Sequence, residues 1–150
     1  MPLDVIDIRG FYASALGRVT QDCLTLALRE AWPRTQGLSV MGLGFAIPYL
    51  DLFRGEAERV ISVMPERQGV IEWPQGGPSA SILAAPGALP FPDSSIDRAL
   101  VIHALETQDR PQELLNELWR VLSPGGHAVV IAPNRRGLWA RIDRTPFGHG

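Results

Sequence analysis

Two pairs of residues have types and spacings that could bind a ligand or move a proton. Gly42 and Gly44 stand one residue apart at the end of an apolar run, where glycine lets the backbone turn sharply and approach a ligand. His103 and Glu106 form the second pair, which could form the wall of a pocket or supply a base that orients a nucleophile. The structural alternatives are a tight turn without a ligand, and a histidine satisfied within the fold beside a solvent-facing glutamate. For the second pair we favour the structural alternative and assign no catalytic residue.

Other chemically suggestive residues have simpler interpretations. Asp93 fits the hydrogen bonds of a turn, and Asp97 fits the start of a strand. Cys23 is the single cysteine, which excludes an intrachain disulfide, and we expect it in the core on the first helix. No CxxC pair or histidine–cysteine cluster has metal-ligand spacing, so no metal is predicted. The segment RRGLW (135–139) could grip an anionic substrate or nucleic acid, but we favour a basic amphipathic segment that covers a sheet edge.

Composition is that of an ordinary single-domain protein. The 150 residues are 45% hydrophobic and 20% charged, which suits one buried core. A formal net charge of −2 gives no general attraction to nucleic acid or to an anionic membrane, so neither partner is expected. No apolar run approaches the roughly 20 residues that cross a bilayer, and the N-terminus lacks an apolar signal-peptide region. With a single cysteine, these features predict a cytoplasmic protein.

Hydrophobic periodicity predicts alternating strands and helices. Short apolar or β-branched runs predict five strands, at 38–41, 59–63, 81–85, 98–103 and 128–132. Spacings of three and four predict helices at 10–32, about 48–57, 111–122 and 137–143. The first helix carries an apolar face of Tyr12, Leu16, Val19, Cys23 and Leu26. This alternation predicts an α/β fold with a doubly wound parallel sheet, whose ligands bind at the carboxyl ends of the strands.

The second crossover is expected to lack a regular helix. Residues 69–79 contain Pro74, Pro78, Gly76 and Gly77, and both residue types break helices. This segment should therefore connect the second and third strands as an irregular loop.

Four short runs of this sequence are similar to known sequence motifs. The run LPFPDSSID (89–97) is similar to LPFPDxSFD, and ELWRVLSPGG (117–126) is similar to a helix and turn that end in RVLKPGG. VIHALE (101–106) and VMGLGFA (40–46) are similar to a fourth strand end and a glycine-rich first motif. Together, over residues 38–134, these runs resemble class I S-adenosylmethionine-dependent methyltransferases of the type-11 kind.

The resemblance implies a fold and a chain shorter than the family plan. It implies a Rossmann-like sheet of order 3-2-1-4-5 in one domain, residues 1–150, with a helical segment 10–32, a core 37–134 and a basic segment 135–150. The family has seven strands and this sequence lacks the last two, so we expect a fragment or a naturally shortened form. Residues 135–144, a homo-oligomer or other protein partner, or residues outside this sequence should cover the edge of strand five.

The resemblance also implies an S-adenosylmethionine site at the strand ends. The residues expected to line it are Gly42, Gly44, Ala46 and Met64, with Leu89 and His103 as nearby walls. We expect a pocket bordered by Gly42, Gly44, Met64 and His103. Trp73, in the loop after the second strand, either stacks on the adenine or packs over the sheet.

Three acidic residues of the family pattern are absent. Val40 stands two residues before the first glycine, Met64 ends the second strand where the ribose is held, and Ala85 lies near the adenine position. None of these side chains accepts a hydrogen bond, and Ala46 replaces the third glycine. We expect weak or lost binding, about 10–1000-fold poorer than in relatives with the acids, and tighter binding on replacing Met64 with aspartate.

Two functions are compatible with these motifs. The first is S-adenosylmethionine-dependent methyl transfer to a small-molecule or otherwise undefined acceptor. The second is a methyltransferase-like domain without activity that serves as a binding partner or scaffold.

Overall fold

The structure is a computed structural model that describes residues 5–66 and 71–134. Five parallel strands form one sheet in the order β3-β2-β1-β4-β5, which confirms the predicted topology. The strands are β1 (Ser39–Gly44), β2 (Arg59–Pro65), β3 (Ser81–Ala84), β4 (Ile96–Ile102) and β5 (Leu122–Ile131). The helices are α1 (Val5–Ala13), α2 (Ala15–Ala31), α3 (Ile47–Leu50) and α4 (Pro111–Val121), with a 3-10 turn at Leu105–Thr107. The predicted helix at 137–143 and the basic segment after it lie outside the described residues.

The first strand is longer than predicted and contains both glycines of the first motif. Gly42 lies opposite Ser62 of β2 and Leu100 of β4, and Gly44 lies opposite Ile102 of β4. A glycine weakens a strand that stands alone, but here backbone ladders on both sides hold the chain extended. The turn into α3 therefore starts after Gly44, not at Gly42.

The last strand begins at Leu122 instead of at the predicted residue 128. Leu122 pairs with Ile96 and His127 pairs with Arg98, so residues 123–126 bulge out between the two pairs. Gly125, with φ of +77°, lies in this bulge. The SPGG run, which the sequence predicted to end α4 as a turn, is thus part of the strand, because a bulge admits extra residues without breaking the ladder.

The helix predicted at 48–57 contracts to the four residues Ile47–Leu50. Beyond it, the N–H groups of Leu52, Phe53 and Glu56 each bond to the carbonyl three residues earlier, which is the pattern of successive turns. Phe53 is nevertheless fully buried. The apolar spacing of this segment therefore marks buried side chains, but the segment does not form the regular helix that this spacing predicts.

The helix predicted at 10–32 is two helices that meet at Ser14, whose side chain caps α2 by accepting a hydrogen bond from the Gly17 N–H at 3.0 Å. The predicted apolar face is wrong beyond Tyr12, because four of its residues are exposed: Leu16, Val19, Cys23 and Leu26. The buried face contains Gly17 and Leu28. A Cβ on Gly17 would lie 2.6 Å from the Tyr12 Cα. The face of α2 that contains Gly17 is buried because α1 packs against the backbone of this glycine.

Apolar side chains cover both faces of the sheet. The cluster under α1, α2 and α3 includes Ile8, Leu28, Trp32, Tyr49, Phe53, Met64 and Ile102. The cluster under α4 includes Met41, Leu43, Val63, Leu89, Val101, Leu114 and Leu118. The sheet is thus buried on both sides, as parallel sheets usually are.

The second crossover has no helix in its described part, residues 71–79, as predicted. Trp73 of this loop is 5% exposed and belongs to the cluster under the N-terminal helices. The guanidinium of Arg54 lies 5.3 Å from the centre of its ring. Of the two interpretations of Trp73, the structure supports the one in which its side chain packs over the sheet.

Within residues 5–66 and 71–134, no helix is long and apolar enough to span a membrane. The same residues contain no group of three or more His, Cys, Asp or Glu side chains that could hold a metal ion. Among the described strands, β5 pairs only with β4. The cover predicted for its other edge stays a prediction.

Candidate cofactor site

The two glycines of the first motif are packed between α3 and β4. A Cβ on Gly42 would lie 2.6 Å from the Cβ of Ala46 and 2.8 Å from Cδ1 of Leu50. Gly44 has a φ of +84°, and a Cβ there would collide with the carbonyl oxygen of Ile102. Both positions require glycine because neighbouring protein atoms occupy the space that a side chain would need.

An aromatic layer covers the turn after β1. Phe45 is 3% exposed and Ala46 has no exposed surface. The ring of Tyr12, from α1, stacks on that of Phe45 with their centroids 5.4 Å apart and their planes inclined by 19°. In this arrangement the side chains of α1 lie between the glycine motif and a ligand at the carboxyl end of β1.

A chain of hydrogen bonds runs through the same layer. The Tyr49 hydroxyl donates to the Tyr12 hydroxyl oxygen at 3.0 Å, and the Tyr12 hydroxyl lies 3.0 Å from Nε2 of His103. Nδ1 of His103 lies 3.0 Å from Oε1 of Glu106. The self-consistent assignment has Tyr12 donating to Nε2 and the imidazole hydrogen on Nδ1, donating to Glu106. Both ring nitrogens of His103 are therefore bonded within the fold, as expected for a histidine with a structural role. The Glu106 side chain is buried and does not face solvent as expected, and its Oε2 has no hydrogen-bond partner among the described residues.

Burial keeps the two phenols of this chain protonated. Burial raises the pKa of Tyr12, and the nearby Glu106 carboxylate raises it further, against the opposing effect of the bond from Tyr49. Burial and the bond to Tyr12 raise the pKa of Tyr49. His103 has a φ of +52°, a backbone conformation that costs a non-glycine residue about 1–3 kcal/mol. The bonds on both sides of its ring offset that strain.

The positions of the three absent acids differ in their surroundings. Val40 and Met64 have no exposed surface, and Sδ of Met64 accepts a hydrogen bond from the Ile71 N–H at 3.3 Å. Ala85 lies at the surface, on the rim of a pocket. Only one of the three positions is thus open to a ligand in this conformation.

That pocket has a volume of about 480 Å³ and lies at the carboxyl ends of β2 and β3, beside the start of α4. Its lining consists of Pro65, Glu66, Ala85, Pro86, Gly87, Gln108, Asp109, Arg110 and Glu113. None of Gly42, Gly44, Met64 and His103, the residues expected to border a pocket, contributes to it. The lining of this pocket begins at Pro65, directly after Met64. The pocket is therefore displaced along the strand end from the position expected for the cofactor site, which α1 covers.

The motifs that carry the resemblance hold the loop before β4 onto α4. Arg120 donates to the carbonyl oxygens of Leu89 and Phe91 and to the Asp93 carboxylate, at 2.7 to 2.9 Å. Glu117 accepts from the Leu89 N–H at 2.8 Å, and Arg120 lowers the pKa of Glu117. Leu89 is therefore buried on the α4 side of the sheet, away from Met64 and His103. Asp93 has a structural role in this loop, as predicted, but through the ion pair with Arg120 and not through the predicted hydrogen bonds of a turn.

The structure brings only part of the predicted site together. Ala46 and Met64 share the cluster under α1, and His103 is joined to that cluster through Tyr12. Leu89 belongs to the opposite cluster. The cofactor-binding roles of all six predicted residues stay predictions. No sequence motif indicates that Tyr12 stacks on Phe45 or that Glu66 lines the pocket, because both depend on how distant segments pack.

Comparison with known proteins gives a consistent family and fold. A sequence profile of the family described as "Methyltransferase domain" matches residues 40–130. The chain is similar to a demethylmenaquinone methyltransferase of Thermus thermophilus, with 32% identity over 127 residues, 83% of this chain and 49% of that protein. It is also similar to the ubiquinone/menaquinone biosynthesis C-methyltransferase UbiE of Ruegeria, with 46% identity over 44 residues, 29% of this chain and 18% of that protein.

Solved structures show the same fold. An S-adenosylmethionine-dependent methyltransferase of Archaeoglobus fulgidus superposes with a TM-score of 0.61 and 21% identity, covering 80% of this chain and 56% of that one. A second, from Mesorhizobium loti, has a TM-score of 0.52 and 26% identity, covering 68% and 49% of the two chains. The chain spans about half the length of the curated full-length relatives, 49% and 48% for the first two.

Proposed function

This chain belongs to the methyltransferase domain family, and we propose that it binds S-adenosylmethionine and transfers the methyl group to a small-molecule acceptor. The observation that carries the proposal is the pocket at the carboxyl ends of β2 and β3. Open parallel sheets bind their ligands at this end. The relatives named above are methyltransferases, and the one from Thermus thermophilus is named a demethylmenaquinone methyltransferase.

The pocket fits the nucleoside half of the cofactor. A volume of about 480 Å³ lies within the range of small-molecule sites, roughly 300–1000 Å³. Ala85, Pro86 and Gly87 line it with small side chains, near the position where the family pattern places the adenine. Glu66 stands two residues after Met64 and also lines the pocket, and its carboxylate can accept hydrogen bonds from hydroxyl groups. We assign Glu66 the ribose contact that Met64 cannot make.

The methionine half fits less well. Tyr12 and Phe45 cover the turn after the glycine motif. Val40 has no acceptor, Sδ of Met64 already accepts from the Ile71 N–H, and neither side chain has exposed surface. Each charged hydrogen bond that is lost costs about 1.5–3 kcal/mol, or about one to two orders of magnitude in affinity. We therefore expect weak binding of S-adenosylmethionine, with most of the contact surface on the nucleoside.

The chain's own residues act by positioning. Bound S-adenosylmethionine supplies an activated methyl group, so a strong base is not required, and alignment of the acceptor accounts for much of the rate. His103 and Glu106 are buried and bonded to each other and to Tyr12. They hold the end of β4 and the N-terminal helix in place and have no assigned role in proton transfer from the acceptor.

The inactive partner or scaffold domain is the second candidate. The observation that favours it is the loss of hydrogen-bond acceptors at Val40, Met64 and Ala85 together with the covered glycine motif. In that case the family fold would be retained for binding another protein. The two candidates differ in one measurable property, which is affinity for the cofactor.

Titration with S-adenosylhomocysteine in a calorimeter distinguishes them. We expect weak saturable binding to the wild type, and about 10–100-fold weaker binding to Glu66→Gln, which removes the charge of the acceptor. The matched control is Glu58→Gln, the same change near the other end of β2, at a residue that does not line the pocket. Its affinity should equal that of the wild type. Absence of binding to the wild type supports the inactive partner domain.

A further inference from the structure

Helix α2 carries an apolar stripe on its outer face. Four exposed residues form this stripe: Leu16, Val19, Cys23 and Leu26. The exposed fractions of Val19 and Leu26 are 59% and 73%, so most of both side chains lies in solvent. Single exposed apolar residues are ordinary, but a contiguous row of them is typical of a surface that binds another protein. The stripe therefore indicates an interaction surface.

The spacing of the stripe is that of a coiled-coil seam, the row of residues along which two helices meet. Its residues follow one another at intervals of three, four and three, so they occupy successive a and d positions of two heptads. The opposite face of the helix contains Gly17 and Leu28, which are buried against the rest of the chain. The a and d row therefore points away from the fold, where a second helix can pack against it.

Side-chain bonds fix the orientation of α2 about its own axis. Nε2 of Gln21 donates to the Pro48 carbonyl oxygen at 3.1 Å. Nearer the end of the helix, Arg29 donates to the Glu56 carboxylate and to the Leu52 carbonyl oxygen, at 2.8 and 2.9 Å. A rotation that buried the stripe within the same chain would break these bonds. The stripe is thus a fixed part of the surface.

A second copy of the chain can complete this seam with the same four residues. When two such helices pack antiparallel, Leu16 lies opposite Leu26 of the second copy, and Val19 lies opposite Cys23 of the second copy. A two-fold axis repeats both pairs, so every residue of the stripe on either helix has an apolar partner. The stripe is therefore self-complementary, which is what a symmetric dimer requires of its interface.

Charges on one flank of the stripe favour the antiparallel arrangement. Arg18 and Asp22 are exposed, and neither forms an ion pair with another of the described residues. In the antiparallel seam, Arg18 lies within two residues, or about 3 Å along the axis, of the level of Asp22 in the second copy. The two-fold axis repeats this pair of opposite charges. In a parallel pair of helices, each of these charges would instead lie level with a like charge.

We propose that α2 is a dimer interface, and that two copies of the chain associate through an antiparallel pair of α2 helices. A 17-residue helix is about 25 Å long and about 10 Å wide. The contact between two such helices is smaller than the roughly 1,200–2,000 Å² buried in a stable interface, so we expect a reversible dimer with a dissociation constant of about 10–100 μM. The association does not depend on the proposed function.

Sedimentation equilibrium of the 150-residue chain measures the association. The wild type should pass from monomer to dimer between about 5 and about 500 μM. Leu26→Asp places a charge in the seam and should weaken the dimer at least about tenfold. The matched control is Trp119→Asp, at an 84% exposed side chain of α4, which should dimerise like the wild type. A monomeric wild type overturns the proposal, and so does a dimer that Leu26→Asp leaves intact or that Trp119→Asp abolishes.

A pair of charge reversals tests the contact without touching the apolar residues. Arg18→Asp and Asp22→Arg each place only like charges on this flank of both helices, so each variant alone should dimerise about three- to tenfold more weakly than the wild type. Mixed in equal amounts, the two variants should associate at least as tightly as the wild type, because an acidic flank then meets a basic one. If the mixture does not recover, α2 does not pair with α2, and this result decides even where Leu26→Asp has lost its fold.

Mild oxidation distinguishes the two orientations of the helices. In the antiparallel dimer, Cys23 lies about 6 Å along the axis from Cys23 of the second copy, in addition to the separation of the helices, which is too far for a disulfide. Val19→Cys places a second thiol opposite Cys23 of the other copy. On a non-reducing gel, this variant should run as a covalent dimer and the wild type as a monomer. A covalent dimer of the wild type, or a monomer in both cases, overturns the antiparallel pairing.

Discussion

Replacing Met64 with aspartate distinguishes a filled strand end from an open cofactor site. The family pattern alone predicts that the new carboxylate restores the ribose contact and tightens binding. In the structure the Met64 side chain has no exposed surface and lies in the cluster under α1. A carboxylate at this position would therefore be buried before it could meet a ribose.

The expected loss of stability in Met64→Asp follows from the burial of this side chain. Removing a buried methionine side chain from a core costs about 2–5 kcal/mol, and an unpaired buried carboxylate costs several kcal/mol more unless its pKa rises and it stays neutral. We expect the free energy of unfolding to fall by at least about 4 kcal/mol at neutral pH. A raised pKa in the folded state means that the loss grows as pH increases above the ordinary carboxyl value, near 4.

Urea denaturation followed by tryptophan fluorescence measures this loss at pH 4.5 and pH 7.5. The control is Met64→Leu, a change of similar volume that should cost less than about 1.5 kcal/mol. If Met64→Asp is as stable as Met64→Leu at both values, the side chain faces solvent and the filled strand end is refuted. Tighter binding of S-adenosylhomocysteine without loss of stability would refute it as well.

Two further predictions concern residues that hold the sheet together. Hydrogen bonds from the Ser39 N–H and the Ser123 hydroxyl lower the pKa of Asp97, so its stabilisation is complete above the ordinary carboxyl value and is lost as pH falls through the lower folded value. The advantage of the wild type over Asp97→Asn in urea should be largest near pH 6 and should shrink below about pH 4. Arg120→Lys should lower the free energy of unfolding by about 1–3 kcal/mol, because lysine cannot reproduce the forked bonds to the loop before β4. Arg18→Lys, at an exposed arginine, should leave it unchanged.

The order of the strands was predictable because local pattern and motif agree. Apolar runs mark all five strands, and the loop at 89–97 and the helix at 111–122 have motifs that bond to each other through Arg120. The strand and helix ends were less predictable. Glycine and proline in the SPGG run indicate a turn, yet the ladder between β4 and β5 absorbs them as a bulge.

The site was less predictable, because it depends on what covers the sheet. Periodicity assigned the exposed stripe of α2 to the core, since Leu16, Val19 and Leu26 are apolar while the buried Gly17 carries no side chain to signal burial. The sequence indicates that Met64 has no carboxylate to accept hydrogen bonds from a ribose. It does not indicate that Tyr12 packs on Phe45 and bonds to His103, because these contacts join residues far apart in the chain.

Nuclear magnetic resonance of the isotope-labelled chain, titrated with S-adenosylhomocysteine, tests the central claim most directly, because one experiment gives both affinity and location. The account predicts weak, saturable binding in fast exchange. The largest amide shifts should fall on Glu66, Ala85, Gly87 and Asp109, around the pocket at the ends of β2 and β3. Absence of shifts at millimolar ligand, or shifts confined to residues away from this pocket, would contradict it.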